Sequence, residues 1–374
     1  MKLPPIAIFC SSESWGGLEM NTARLALWLH ERGHSITLFG LWESPLVLQA
    51  KTDRIPYRVT KRNMRYFDLV GAYAVSKELG RLHIRFLILV DNRDLDFGGL
   101  VKLVSGNRIR LIYQQHMRLG ITKKDPVHTL RFRQLDAWIT LLPYMKEEIL
   151  SKTRFPKERI HLIPLGLDVE ILRSRLPSKE QAREELNLPS DGTIIGILGR
   201  LDPQKGQHLL IEALHKLNRK GEKYSLLIMG ETTLHEGEDY RKKLQDLVST
   251  LGLESLIFFR GYQKDVASFF AAIDLFVLGS YEETYGMVTI EAMLCGTPVV
   301  GSNAGGTAEL LGNGSYGWLY QPKDPVDMAA TIYRALGDPP KLKQVAIQAQ
   351  LYAVSAFSHT DECIKIEGVL HSLA

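Results

Sequence analysis

The sequence EETYGMVTIEAMLCGTPVV, residues 282–300, carries the clearest information about both the fold and a candidate site. Gly286 predicts a turn into a helix that starts near Met287, with Glu291 one turn inside it. The backbone amides of residues 286–288 would then lie at a helix N-terminus, where a phosphate group is favoured. Glu283 falls in the preceding loop, and a carboxylate there offers two acceptor oxygens to a vicinal diol of a ribose or sugar ring. Taken alone, Glu291 is also explained as an acid that complements the helix dipole.

Short apolar runs alternate with amphipathic segments on both sides of this stretch. In the second half they occupy residues 193–198, 224–229, 255–259, 275–278 and 298–301; in the first half they occupy residues 6–10, 35–39, 86–90, 109–113, 137–142 and 160–164. In the first half, a helix is predicted over about residues 19–32, ending at Gly33. This alternation predicts an α/β protein of parallel sheets covered by helices on both faces.

The pattern stops and restarts once, which indicates two domains. Residues 171–192 are polar and charged and contain Pro177, Pro189 and Gly192. We therefore predict one doubly wound, Rossmann-like domain over residues 1–170 and a second over residues 171–355, facing one another. Ligands of such folds bind at the carboxyl ends of the strands, so the cleft between the domains is the expected site.

Composition excludes several classes of protein. Of 374 residues, 45% are hydrophobic and 24% are charged, as in a soluble globular protein. No run approaches the roughly 20 apolar residues that span a bilayer, and the N-terminus does not read as a signal peptide. The three cysteines, Cys10, Cys295 and Cys363, are far apart, which argues against a disulfide framework or a cysteine-rich zinc site. A cytoplasmic protein is expected.

The positive charge is concentrated in the first half. Residues 1–170 contain 26 Lys and Arg against 17 Asp and Glu, whereas the remainder contains 20 against 25. A basic half favours an anionic partner, namely a phosphate-bearing substrate, a membrane surface or nucleic acid. An ordinary solvated surface explains the same excess equally well.

Two further loops suit a phosphorylated ligand. Gly16 and Gly17 follow the first predicted strand and open the first helix, so the backbone could approach a ligand closely. Arg200 and Lys205 lie on the loop after residues 193–198 and could clamp a diphosphate, although a plain surface turn is the alternative. The chain has neither a G-x-G-x-x-G motif nor a Walker A loop, which disfavours an ordinary dinucleotide enzyme and an NTPase.

Taken in order, these residues resemble the retaining glycosyltransferases of family 4, which have the GT-B fold. The resemblance rests on the glutamate-x7-glutamate motif from Glu283 to Glu291 and extends over the whole chain. The other matching segments are Gly16-Gly17-x-Glu19, Arg32-Gly33-His34, Ile163-Pro164-x-Gly166-x-Asp168, Gly199-Arg200-Leu201 with Lys205-Gly206, Gly261-Tyr262, Asp274 through Ser280, and Phe357-Ser358. It further implies that residues 356–374 form a helix crossing back to the first domain.

The resemblance assigns roles to individual positions. Arg200 and Lys205 would hold the donor diphosphate, Glu291 the ribose and Glu283 the donor sugar. Backbone near Gly16, Gly17 and the segment Gly286-Met287-Val288 would complete the cradle, with Tyr262 beside the base. His116 aligns with an active-site histidine of the family, although a lone histidine is more often a packed or surface residue.

The resemblance also implies the reaction: a sugar moves from a nucleotide-diphosphate sugar to an acceptor with retention at the anomeric carbon and without an obligatory metal or other cofactor. Asp94-Leu95-Asp96 has the D-x-D form of a metal motif from another glycosyltransferase fold, but we interpret it as a loop. Leu165, Gly279 and Tyr285 depart mildly from the family pattern.

Two basic stretches of the first half bear on the acceptor. Basic residues interleaved with apolar ones, over residues 58–67 and 108–133, suit an anionic membrane. We therefore expect a glycan or lipid-linked acceptor, bacterial surface polysaccharide or lipopolysaccharide assembly, and peripheral contact with the inner face of the cell membrane. No nucleic-acid-binding module is visible. The alternatives are a nucleotide-sugar epimerase or a phosphorylase of the same fold, and a non-catalytic sugar-nucleotide-binding protein.

Overall fold

A computed structural model describes residues 3–61, 67–219, 221–232, 238–263 and 265–374. The chain divides into two compact units. Unit 1 contains residues 1–166 and 359–374, and unit 2 contains residues 167–358. The boundary predicted after residue 170 lies four residues beyond the end of the first segment of unit 1, at residue 166. The final segment, predicted from residue 356, begins three residues before the chain returns to unit 1 at residue 359.

Unit 1 is built on a parallel sheet of seven strands in the order β3-β2-β1-β4-β5-β6-β7. The strands are β1 (Ile6–Cys10), β2 (Ile36–Leu41), β3 (Tyr57–Thr60), β4 (Phe86–Leu89), β5 (Arg110–Gln114), β6 (Ala137–Thr140) and β7 (Ile160–Leu162). The helices that alternate with them are α1 (Gly17–Glu31), α2 (Pro45–Thr52), α3 (Leu69–Arg81), α4 (Leu95–Val104), α5 (Pro126–Arg133) and α6 (Pro143–Lys152).

Unit 2 repeats the arrangement with six parallel strands in the order β10-β9-β8-β11-β12-β13. Its helices before the sheet are α7 (Val169–Ser174) and α8 (Lys179–Glu185). Its strands are β8 (Thr193–Leu198), β9 (Tyr224–Met229), β10 (Ile257–Arg260), β11 (Leu275–Leu278), β12 (Val299–Ser302) and β13 (Trp318–Tyr320). The remaining helices are α9 (Gln207–Asn218), α10 (Glu238–Leu251), α11 (Ala267–Ala272), α12 (Met287–Leu294), α13 (Gly305–Leu310), α14 (Pro325–Leu336) and α15 (Pro339–Ala356).

The central strands are apolar along their whole length because helices cover both faces of each sheet. All five side chains of β1 and all four of β11 are buried. Two clusters of buried side chains lie on opposite faces of the unit 1 sheet, and they are drawn from alternate residues of the same strand, such as Ile8 and Phe9. The two doubly wound α/β domains predicted from the sequence are confirmed. No helix in the described ranges is long and apolar enough to cross a membrane.

The last helix, α16 (His359–Leu373), belongs to unit 1, where it packs against α1. Arg32 donates from Nε to Glu367 Oε1 over 2.6 Å, and His34 Nε2 lies 2.8 Å from the same oxygen. Glu362, one turn earlier, is fully buried. It accepts hydrogen bonds from the Gly166 amide over 2.7 Å and from Gln114 over 3.3 Å. Burial nevertheless raises the pKa of Glu362 to about 7.

In unit 2, three strand-exit loops approach one another so closely that side chains are excluded. Gly206 has a φ of +70°, and a Cβ at that position would lie 2.1 Å from the carbonyl oxygen of Gly279. A Cβ on Gly230 would lie 2.0 Å from the carbonyl oxygen of Gly199. The loops after β8, β9 and β11 therefore meet at the carboxyl edge of the sheet, where the strand order reverses between β8 and β11.

The buried Glu362 predicts a specific pH dependence of stability. Its folded-state pKa is raised, so its contribution to stability is complete below the unfolded pKa of about 4.5 and is lost as pH rises through about 7. We expect the free energy of unfolding of Glu362→Gln, measured by urea denaturation, to match that of the wild type near pH 4.5 and to exceed it near pH 8 by roughly 3 kcal/mol.

Glu367→Gln is the matched control on the same helix. Hydrogen bonding to Arg32 is the main cause of the lowered pKa of Glu367, so this variant should become less stable than the wild type as pH rises. Parallel pH profiles for the two variants would contradict this account.

The close approach at Gly206 predicts that an alanine there destabilises the protein more than an alanine at Gly252, a glycine with similar φ and open surroundings. Gly206→Ala combines a left-handed backbone with a clash against the Gly279 carbonyl, so it should lower the thermal unfolding midpoint and displace the loop. Gly252→Ala is the control, since Gly252 has a similar φ of +65° but open space around its Cβ position, and it should cost only about 1 kcal/mol. Equal midpoints in calorimetry would show that the contact does not constrain the loop.

Candidate functional site

Lys205 and Glu283 form an ion pair at the carboxyl edge of the unit 2 sheet. Lys205 Nζ lies 2.7 Å from Glu283 Oε2, and Ser280 donates from Oγ to the same oxygen over 3.1 Å. Their side chains are only 33% and 19% exposed, so the pair is partly screened from water. The family resemblance implies that Lys205 contacts the diphosphate of a donor and that Glu283 contacts its sugar. In the structure the two side chains contact each other.

The backbone holds Glu283 in place independently of its side chain. The carbonyl oxygen of Glu283 accepts from the Gly306 amide over 2.8 Å, and Glu283 forms an isolated parallel bridge with Gly305. The loop before α12 is thereby fixed to the start of α13. The position of the Glu283 carboxylate is therefore set by a backbone segment that is hydrogen-bonded to the start of α13.

The turn predicted at Gly286 and the helix predicted from Met287 are confirmed. Gly286 has φ +97° and ψ +58°, and α12 begins at the next residue. The amide of Thr289 donates to the Gly286 carbonyl over 2.9 Å, whereas the amides of Met287 and Val288 lie in the first turn, where the helix itself offers no backbone acceptor. Glu291 lies half-buried one turn inside the helix. This helix end has the geometry of an anion site.

Arg200 lies on the same strand-exit loop as Lys205 but is more exposed. Its Nη2 donates to Asp202 Oδ2 over 2.8 Å, and 55% of its side chain is accessible to solvent. The loop itself is anchored by Gln207, which is buried and donates from Nε2 to the Arg200 carbonyl oxygen over 2.8 Å. The role of Gln207 is not predictable from the sequence, because a glutamine in the first turn of a helix carries no signal of this bond.

Tyr262 follows β10, at the edge of the same sheet. Its ring is 58% exposed, and its amide donates to Glu231 Oε1 over 3.3 Å. An exposed aromatic ring beside a strand end is suited to stacking on a planar base. Glu231 also accepts the Leu201 amide through its backbone oxygen, over 2.9 Å, and so connects the Tyr262 and Arg200 loops.

In unit 1, Gly16 and Gly17 lie at the start of α1, as predicted. Gly16 is the N-cap, and its amide donates to Glu19 Oε2 over 2.8 Å. A Cβ on Gly17 would meet no atom within 4 Å, so the backbone there faces open space. Glu19 is therefore a buried capping residue, and the amides of the first turn remain at an accessible helix N-terminus.

His116 lies just beyond β5 and is buried, with 9% of its surface exposed. Its Nε2 is a buried polar atom with no hydrogen-bond partner within the described part of the chain. Burial lowers the pKa of His116 to about 4, so the imidazole is neutral at neutral pH. A neutral ring with an unused nitrogen can accept or donate one hydrogen bond to a substrate, depending on its tautomer.

The interpretation of Asp94-Leu95-Asp96 as a loop is wrong. Asp94 ends a short 3-10 turn and is fully buried, where it accepts the Ser11 amide over 2.9 Å, and Leu95 begins α4. Asp96 pairs with Arg131, whose Nε donates over 2.6 Å. The two carboxylates thus have separate structural partners. No cluster of three or more potential metal ligands occurs among the residues that the structure describes.

Two protein-family models match the chain, one in each half. Residues 178–351 match the family model of glycosyl transferases group 1, and residues 15–171 match the model of Glycosyltransferase Family 4. D-inositol 3-phosphate glycosyltransferase of Stackebrandtia nassauensis is 29% identical over 232 residues, covering 60% of this chain and 52% of that protein. The chain spans about half the length of the curated relatives that it matches.

Solved structures share the fold over nearly the whole chain. The structure of Anabaena HepE in complex with UDP has a TM-score of 0.86 at 24% identity and covers 98% of this chain and 100% of its own. The apo form of WaaB, a lipopolysaccharide outer core galactosyltransferase, has a TM-score of 0.76 at 18% identity, with full coverage of both chains. The two glycosyltransferase family models thus match the two halves of the chain, and these solved structures show that the chain has the GT-B fold.

Proposed function

We propose that this protein is a glycosyltransferase, which transfers a sugar from a nucleotide-diphosphate sugar to a hydroxyl of a glycan or glycolipid acceptor, with retention at the anomeric carbon. The observation that carries the proposal is the 2.7 Å pair of Lys205 and Glu283 beside the N-terminus of α12. A cation, a sugar-binding acid and helix amides are thereby concentrated at one sheet edge. This combination matches the two ends of a sugar diphosphate.

The donor contacts follow from the chemistry of each group. Lys205, Arg200 and the amides of residues 286–288 would bind the diphosphate, since all are donors or cations. Glu291 would accept from the ribose hydroxyls, and Glu283 from a hydroxyl of the sugar. Tyr262 would stack on the base. The complex of the structural relative HepE with UDP supports a donor of this class.

The proposed reaction exchanges one bond at the anomeric carbon for another. The bond from that carbon to the donor phosphate oxygen breaks, and a bond to the acceptor oxygen forms on the same face. The acceptor proton passes to the departing phosphate oxygen. Lys205 and Arg200 would offset the negative charge that develops on the leaving diphosphate, so the reaction is proposed to need neither a divalent metal nor another cofactor. His116 is proposed to hydrogen-bond substrate through Nε2, which has no partner among the described residues.

We further propose a role in bacterial cell-surface polysaccharide or lipopolysaccharide assembly, at the inner face of the cell membrane. The activity in the name of the structural relative WaaB supports this setting. Exposed apolar side chains support it as well: Met117, Ile121, Val127 and Leu130 are each more than half exposed, within the basic stretch 108–133. Of the other basic stretch, residues 62–66 lie outside the described part of the chain.

Donor binding tests the proposal through calorimetric titration of UDP-, GDP- and ADP-sugars. We expect one nucleotide class to bind and Glu291→Ala to weaken it about tenfold, the loss expected for hydrogen bonds to a charged group. Glu254→Ala removes an exposed carboxylate just before β10 and should leave the affinity unchanged. Failure of all three nucleotide classes to bind folded protein at millimolar concentration would exclude the donor site and with it the transferase mechanism.

Co-sedimentation with vesicles tests the membrane contact. We expect binding to phosphatidylglycerol vesicles but not to phosphatidylcholine, with a steep loss as salt rises, because each basic residue near the surface contributes roughly 1 kcal/mol. Ile121→Glu should weaken binding. Ile364→Glu places the same change on an exposed position of α16 and should have no effect. Absence of binding to phosphatidylglycerol at low salt would rule out the peripheral contact.

A further inference from the structure

Unit 1 contains a cavity that none of the proposed donor contacts uses. It has a volume of about 180 Å³ and lies at the carboxyl ends of β4 and β5. The segment after β4, the loop after β5 and helix α5 form its walls. Met117 and Arg118, which follow His116 directly in the chain, belong to this lining. Two lining residues of the cavity are thus direct sequence neighbours of His116, the histidine that is proposed to contact substrate.

Four cations line the cavity, and only one carboxylate does. The cations are Arg93, Arg118, Lys123 and Arg131, and the carboxylate is Asp96. Buried aromatic rings form the other part of the lining, including Tyr113, Phe132 and Trp138. These apolar rings lower the local dielectric constant, which strengthens electrostatic interactions made inside the cavity.

The three arginines are already held in position by acids. Arg93 Nη2 lies 2.5 Å from Asp91 Oδ2, and Arg118 Nη2 lies 2.6 Å from Glu148 Oε1. Asp96 holds Arg131 through Nε and Nη2, while Nη1 of Arg131 makes no hydrogen bond to any described residue. Guanidinium groups fixed in this way lose little entropy when a ligand binds.

Lys123 is the cation without a counter-charge. Its ammonium has no ion pair and no hydrogen bond within the described ranges, although the side chain is half-buried. Burial, and then the nearby Arg131, lower the pKa of Lys123. The fold therefore holds a positive charge where both desolvation and repulsion disfavour it, and the attraction of an anion bound beside it would offset both costs.

The backbone around Lys123 is also fixed. The Lys123 amide donates to the carbonyl oxygen of Lys152 over 2.7 Å, and Lys152 Nζ donates to the carbonyl oxygen of Gly120 over 2.7 Å. The loop is tied to the end of α6 at both points. This ammonium is therefore carried on an anchored segment, unlike a typical surface lysine.

We propose that this cavity binds the phosphate group of the acceptor, with Lys123 and Arg131 as its principal ligands. The assignment of that group to an acceptor rests on the proposed transferase function. A tetrahedral phosphate fits the chemistry because it accepts from an ammonium and a guanidinium at once. The exposed apolar side chains of Met117, Ile121, Val127 and Leu130 on the same loop and helix are compatible with a lipid attached to that phosphate.

Titration of inorganic phosphate at constant ionic strength tests the site. The background is Arg200→Ala with Lys205→Ala, which removes the donor-side cations. We expect Lys123→Gln to weaken phosphate binding about tenfold in this background. Lys124→Gln is the matched control, since Lys124 is exposed, adjacent and outside the lining, and it should leave affinity unchanged. Lys123→Arg should retain most of the binding, which separates a ligand role from a folding defect. Equal affinities for the two Gln variants would overturn the proposal.

Vesicles of phosphatidylglycerol separate the two sources of the phosphate. Selective loss of vesicle binding in Lys123→Gln would identify a lipid headgroup. Equal vesicle binding by Lys123→Gln and Lys124→Gln, with phosphate binding still dependent on Lys123, would identify a water-soluble phosphorylated acceptor. Failure of nucleotide sugars to bind would overturn the transferase function while leaving the anion site, whereas Lys123-independent phosphate binding would overturn the anion site alone.

Discussion

The close approach of two backbone segments, Gly206 against the carbonyl of Gly279, is the constraint on which the unit 2 site depends. With no Cβ at residue 206, the loop after β8 can lie directly on the loop after β11, and Lys205 is carried to the segment that contains Glu283. A side chain at residue 206 would separate those loops. The reversal of strand order between β8 and β11 creates the crevice, and the glycine contact determines which side chains converge there.

The ion pair of Lys205 and Glu283 gives this site a definite resting state. In the proposed donor complex, the phosphates compete with Glu283 for the ammonium, and a sugar hydroxyl takes up the carboxylate. Neither group is left buried without a partner before or after the donor binds. This exchange would keep the partly buried carboxylate and ammonium paired at a site that is proposed to accept a polyanion.

Much of the fold was predictable from local patterns. The runs predicted at residues 6–10, 193–198, 224–229 and 275–278 coincide with β1, β8, β9 and β11, because central strands of a parallel sheet are apolar throughout. The strands that were missed, β3 (Tyr57–Thr60) and β13 (Trp318–Tyr320), are short edge strands. In β3, Arg58 interrupts the apolar pattern and pairs with Glu78 of α3 at 2.6 Å, a contact that no local signal indicates.

Some features of the candidate site were likewise predictable from the local sequence, whereas others were not. The turn at Gly286 and the start of α12 follow from glycine and helix signals within a few residues of each other, so the sequence predicted them. Three features depend on segments that meet only in the folded chain. They are the contact of Lys205 with Glu283 and, as far as the described residues show, the lack of a partner for His116 Nε2 and for the Lys123 ammonium. Residue types alone could name these positions, but they could not show which of their polar groups are paired in the folded chain.

The most direct test of the donor-site account is phosphorus-31 NMR of UDP-, GDP- and ADP-glucose mixed with the wild type and with Lys205→Met. The account predicts that the diphosphate resonances of one nucleotide sugar shift and broaden with the wild type and return towards their free positions with Lys205→Met. Lys216→Met, on α9, should behave as the wild type. Resonances that shift equally with wild type and Lys205→Met would contradict the claim that Lys205 exchanges Glu283 for the donor diphosphate.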